Sequence, residues 1–103
     1  METISINTRI NAVAGAIAGG EESDANRRLL AESVLLFAYR FASVRGLRGG
    51  ALFDADDFAQ TVCLKTLKAV GRYRPDVGLF TTYLHKVCQT TGMDMFSPNK
   101  HEW

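Results

Sequence analysis

Apolar residues recur three and four positions apart along most of this chain, the spacing that lines one face of an α-helix. Ile10, Val13, Ala14 and Ile17 mark a weak helix near residues 9 to 18, with Asn7 or Thr8 as its cap and Gly19-Gly20 at its end. Ahead of it, TISINTRI alternates only briefly. Leu29, Leu30, Val34, Phe37, Ala38 and Phe41 form a broader stripe, which predicts a stronger helix over residues 24 to 46 capped by Ser23 or Asp24. The glycine-rich stretch GLRGGAL then connects to a third helix over 54 to 70, whose buried face is Ala59, Val62, Cys63, Leu67 and Val70. A fourth helix over 79 to 92 turns Phe80, Tyr83, Leu84, Val87 and Cys88 inward and leaves Thr82, His85, Lys86, Gln89 and Thr90 outward. The expected fold is therefore all-α, a compact bundle of three principal helices plus the weak N-terminal one. Residues 1 to 22 read as an N-terminal segment, 23 to 94 as the helical domain, and 95 to 103 as a loose tail unless Phe96 and Trp103 dock.

Composition narrows the function less than the pattern narrows the fold. At 103 residues the chain is one small domain at most, and its apolar and charged fractions, 47% and 22%, are those of an ordinary globular protein. The net charge of +1 is spread evenly: residues 1 to 52 hold six bases and five acids, and residues 53 to 103 hold six of each. No overall electrostatic footprint for nucleic acid exists, so any such contact must be local. Cys63 and Cys88 lie outside any metal-ligand spacing and read as small core residues in a reducing cytosol. AVAGAIAGG has the small residues of an export signal, but Glu2 stands where a basic region belongs, and no run approaches the length of a membrane span. A cytoplasmic location and no membrane partner are expected.

The third helix carries the most suggestive chemistry. Asp54, Asp56 and Asp57 crowd its start, and no further acid appears until Asp76. Asp54 suits the cap, and the other two suit a first turn whose free amides favour anions, while Lys65, Lys68 and Arg72 suit the opposite end. Folding alone accounts for that segregation. A second face, made of Asp57, Gln60, Thr61, Leu64 and Lys68, places a leucine among polar neighbours, which is either ordinary surface or the centre of a partner contact. In the loop GRYRPDVG, Pro75 disfavours helix at Arg74. His85 has no second His or carboxylate at ligand spacing, and no nucleophile, base and orienting group recur together, so neither a metal, a cofactor nor an enzyme is expected.

The order of these residues resembles region 2 of bacterial RNA polymerase sigma factors of the sigma-70 family. Asp54, Ala55, Asp56, Asp57, Phe58 and Gln60 match an acidic helix start, and Arg72, Tyr73, Pro75, Gly78, Phe80, Tyr83, Leu84 and Lys86 match a basic-aromatic turn leading into a basic helix. The resemblance covers roughly residues 29 to 94. It implies that Asp57, Gln60, Thr61, Leu64 and Lys68 dock on the clamp coiled coil of core RNA polymerase, with Thr61 departing from the family's usual Glu. It also implies contact with the promoter's upstream element through Arg72, Arg74, Phe80, Tyr83, Lys86, Gln89 and Thr90, the aromatics offering stacking faces. Thr90 replaces a frequent Asn, and MFSPNKHEW replaces an arginine-rich continuation, so DNA binding by the chain alone is expected to be weak. With no C-terminal helix-turn-helix domain, the expectation is region 2 standing alone, as part of a split initiation factor or as a regulator. A partner sigma subunit or an anti-sigma protein is then a further expected partner. A degenerate sigma fold that self-associates, as a homodimer without promoter activity, is the alternative.

Overall fold

The computed structural model describes residues 5–44 and 54–96, and among them the regular elements are all helices: α1 (Ile6–Ala18), α2 (Asp24–Val44), α3 (Ala55–Ala69) and α4 (Phe80–Phe96). A single 3-10 turn, Val70–Arg72, extends α3 toward the loop before α4. The all-α expectation holds.

α1 begins earlier than its apolar stripe suggests because Ser5, and neither Asn7 nor Thr8, is the cap. Ser5 has extended backbone, and its hydroxyl accepts from the Thr8 amide at 3.1 Å. At the other end Gly20 adopts φ 105, a left-handed turn that glycine enters without strain. The helix is weak only in propensity, since Ile10, Val13, Ala14 and Ile17 are all buried and α1 packs against α2, α4 and the 3-10 turn. Tertiary packing of an apolar face supplies what a short helix lacks by itself.

α2 is capped by Ser23, whose hydroxyl accepts from the Asn26 amide at 3.1 Å. Its buried line is Leu30, Ser33, Val34, Ala38 and Ala42, with Phe37 and Phe41 packed at the side. Leu29, expected inside, is exposed; the line runs through Leu30 and turns Leu29 to its edge. The predicted end of this helix at residue 46 and the glycine-rich connection lie outside the described residues.

α3 starts as its acids require. The Asp54 carboxylate accepts from the amides of Asp56 and Asp57 at 2.9 and 3.3 Å. Ala59, Val62, Cys63 and Val70 are buried as expected, and Leu67 is half-buried. Phe58 and Thr66 are fully buried as well, because the buried surface follows the i, i+4 row 58, 62, 66 and 70 as well as the row through Ala59 and Cys63. Thr66 satisfies its hydroxyl by donating to the carbonyls of Val62 and Cys63, each at 3.0 Å, so it sits in the core without an orphaned polar atom.

α4 runs past the predicted end at 92. Gly92 does not stop it, since a glycine inside a helix costs only about 1 kcal/mol against alanine and Met95 beyond it packs on the core. Residues 95 and 96 thus belong to the helix and not to a loose tail, while 97 to 103, with Lys100 and Trp103, lie outside the described residues. Lys65 donates to the Thr91 hydroxyl at 3.0 Å, joining α3 to α4 above the shared core of Ile10, Leu30, Phe58 and Leu84. No described helix is long and apolar enough to cross a membrane.

Candidate functional site

α3 presents two opposed surfaces. With its 58, 62 and 66 row locked inward, the helical period turns Asp57, Gln60, Leu64 and Lys68 to solvent, and Thr61 sits half-buried at their side. Leu64 is 61% exposed at the middle of this face. The acids lie at its amino end and Lys68 in its last turn, so the face runs from negative to positive along the helix axis. α2 adds a residue here that sequence reasoning did not assign. The Tyr39 hydroxyl donates to Asp56 Oδ1, and this bond, with the charge of Asp56 and then Asp54 nearby, holds the phenol above its ordinary pKa. Nothing local to Tyr39 signals the pairing, which joins residues 17 apart.

The second surface precedes α4. The turn 70–79 and the first turn of α4 enclose an open groove of about 620 Å³, rimmed by Arg72, Arg74, Val77, Leu79 and Tyr83. The Tyr73 hydroxyl donates to the Gly78 carbonyl at 2.8 Å and closes the turn. Arg74 pairs with Asp76 at 3.3 Å, an exposed pair that leaves the guanidinium able to exchange partners. Val77 and Leu79 are both exposed, which gives a basic groove an apolar lining.

The expected contact residues separate within this groove. Tyr83 is 40% exposed and offers a ring face. Phe80 is 1% exposed and offers none: its ring packs edge-on against Tyr73 at 5.0 Å and tilted against Tyr83 at 5.6 Å, so it is the floor that supports Tyr83. Lys86 and Gln89 continue the exposed face of α4 beyond Tyr83. Thr90 is exposed too, but its hydroxyl lies against its own helix, within bonding distance of the Lys86 and Val87 carbonyls. Arg72, Arg74 and Tyr83 are therefore brought together about one groove, with Lys86 and Gln89 extending it.

Asn11 is a second residue the sequence reading passed over. It lies on α1, yet its Oδ1 accepts from the Thr81 amide at 3.0 Å and its Nδ2 donates to Thr81 Oγ1 at 3.1 Å. A polar residue of modest helix propensity in the middle of an apolar helix was the available signal.

Other reactive groups are quiet. His85 is half-buried, its ring edge-to-face with Phe41 at 5.4 Å, and so is less solvated than expected. Cys63 and Cys88 are free and buried; burial pushes the Cys88 thiol up to about 12 and the Cys63 thiol upward as well, the opposite of what a nucleophilic cysteine needs. Among the described residues no group of three or more His, Cys, Asp or Glu side chains is arranged to hold a metal ion.

Comparison with curated proteins and with solved structures gave no match. A family model described as Sigma-70 region 2 matches residues 29–99, a segment that contains the whole exposed face of α3 and the groove before α4. That family is a transcription factor domain and not an enzyme. The acid-capped α3 and the basic-aromatic turn into α4 both lie within the matched residues, the described elements are all helices, and the chain belongs to the sigma-70 region 2 family, with a sigma-factor-like role in transcription initiation.

Proposed function

We propose that this domain docks on core RNA polymerase through the outward face of α3 and, in that complex, holds one strand of an opened promoter in the groove before α4. The observation that carries the reading is Leu64. An apolar side chain at 61% exposure, flanked by Asp57, Gln60 and Lys68, has the form of an interface anchor with a polar rim. Membership of the sigma-70 region 2 family supports the clamp coiled coil as its partner. Thr61, half-buried where the family usually carries Glu, contributes less than a carboxylate would.

For the strand, Tyr83 supplies a stacking face, Arg72, Arg74 and Lys86 supply phosphate contacts, and Gln89 supplies a polar one. Stacking on one base is worth about 1 to 3 kcal/mol, so Tyr83 outweighs any single arginine here. A net charge of +1 releases few counterions, and binding to duplex DNA by the free domain is weak. Fluorescence anisotropy of a labelled single strand, with and without core polymerase, tests this half. Wild type should bind weakly alone and more tightly with polymerase, and Tyr83→Ala and Lys86→Ala should each weaken it while circular dichroism stays unchanged. Equal binding by wild type and both variants would remove the groove from the account.

Exposed Leu36, Leu64 and Val77 favour a second reading, in which apolar positions join copies of this chain. Light scattering across concentration separates the two: a strict monomer at high micromolar concentration excludes self-association.

A further inference from the structure

We propose that Asn11 is a positioning residue for the strand-binding groove, so that α1, outside the segment matched to the family, is a working part of the site. The inference rests on the strand-binding reading given above. Its observation is the reciprocal pair between Asn11 and Thr81, 70 residues apart in sequence.

A helix begins with backbone amides that have no partner inside it, and a side chain just before the first turn normally accepts from one of them. Leu79, the residue ahead of α4, has no side-chain acceptor to offer. Asn11 supplies it from another helix: its carbonyl oxygen takes the Thr81 amide, and its amide nitrogen donates to the Thr81 hydroxyl. Two bonds to one residue fix direction as well as distance. On the other side of the same junction Tyr73 holds the Gly78 carbonyl. The start of α4 is thus pinned from two directions, by α1 and by the turn.

What is pinned is the groove. Phe80 and Tyr83 flank Thr81 within one helical turn, their rings in contact at 5.6 Å, and Phe80 is buried so that it moves only with the backbone. If the first turn frays or tilts, the floor and the stacking face move together. α1 is in turn anchored through Ile10 and Ala14, both fully buried on either side of Asn11, so the tether has a rigid origin.

The test uses the full chain and two readouts, hydrogen exchange at the Thr81 amide and anisotropy of a labelled single strand. Asn11→Ala should expose the Thr81 amide to faster exchange and weaken strand binding about fivefold, the factor that loss of one capping interaction corresponds to. Capture by core polymerase, which uses α3, should be unchanged. Asn11→Asp retains an acceptor for the amide and should restore its protection. If Asn11→Ala melts the fold, Thr81→Val removes only the hydroxyl half of the pair and should weaken strand binding with polymerase capture intact. An amide protected equally in Asn11→Ala and wild type, or an amide loosened with strand affinity unchanged, would overturn the positioning role. A wild-type chain that binds no strand would overturn the strand reading and this role with it, and the exchange data would then report the tether as a property of the fold alone.

Discussion

The Tyr39 hydroxyl donates to Asp56 Oδ1, so the last part of α2 is joined to the first turn of α3 at the acidic end of the exposed Leu64 face. The bond favours the neutral phenol, and the negative charges of Asp56 and Asp54 favour it further. As pH rises past the ordinary phenol value, the unfolded chain ionises Tyr39 while the folded chain does not, and this contribution to stability is lost. Absorbance titration of phenolate, with Tyr39→Phe to assign the signal, should show Tyr39 ionising above the ordinary phenol value. Asp56→Ala should bring it back toward the ordinary range; a Tyr39 titration unmoved by that change would contradict the pairing.

Asp54 holds two amides of α3, and Asp54→Ala should cost about 1 kcal/mol, which for a domain of this size is a fall of about 4 to 8 °C in Tm. Asp54→Asn, which still accepts, should fall much less. Thermal unfolding followed by circular dichroism distinguishes them, and equal losses would mean that the cap acts through charge alone.

Ser33 is buried in α2 with a hydroxyl that meets no partner among the described residues. An unsatisfied buried hydroxyl is a standing cost, and alanine is also the better helix former. Ser33→Ala should therefore raise Tm, an uncommon direction for a core substitution. A lowered Tm would show that the hydroxyl is satisfied in solution.

Cys88 is fully buried, and its thiol is pushed from 9.0 up to about 12; Cys63 shifts in the same direction. Above pH 9 the unfolded chain releases these protons and the folded chain keeps them, so stability should fall as pH rises from about 9 toward 12 and be insensitive to both thiols below that window. Denaturant midpoints across this range, compared with Cys88→Ala, provide the check. Thiol reagents at neutral pH should react only on unfolding; rapid modification of both cysteines in the folded protein would contradict their burial.

What the sequence made legible was local. The acid cap on α3, the exposed Leu64 and the turn through Pro75 all follow from residues within a few positions of one another, where capping and periodicity act. Pairings across the fold left no such trace. Asn11 stands out as a polar residue in an apolar helix, but nothing near it points to Thr81, nor does anything near Tyr39 point to Asp56, because each partner is set by how helices cross. Tyr83 and Phe80 share one apolar stripe, and periodicity alone could not say which ring is floor and which is face. Burial decided it, through the packing of Tyr73 on Phe80. The end of α4 was misjudged in the opposite sense: the helix runs beyond residue 92 to Phe96, with Met95 packed against the core.

The central claim is that the exposed face of α3 is a docking surface for core RNA polymerase, and affinity capture with purified core polymerase tests it most directly. Wild type should be retained. A Gln60→Ala, Leu64→Asp double variant, altered only at two exposed positions, each expected to change stability by no more than about 0.5 kcal/mol, should be lost from the complex. Failure of polymerase to retain the wild-type domain, or equal retention of the double variant, would contradict the account.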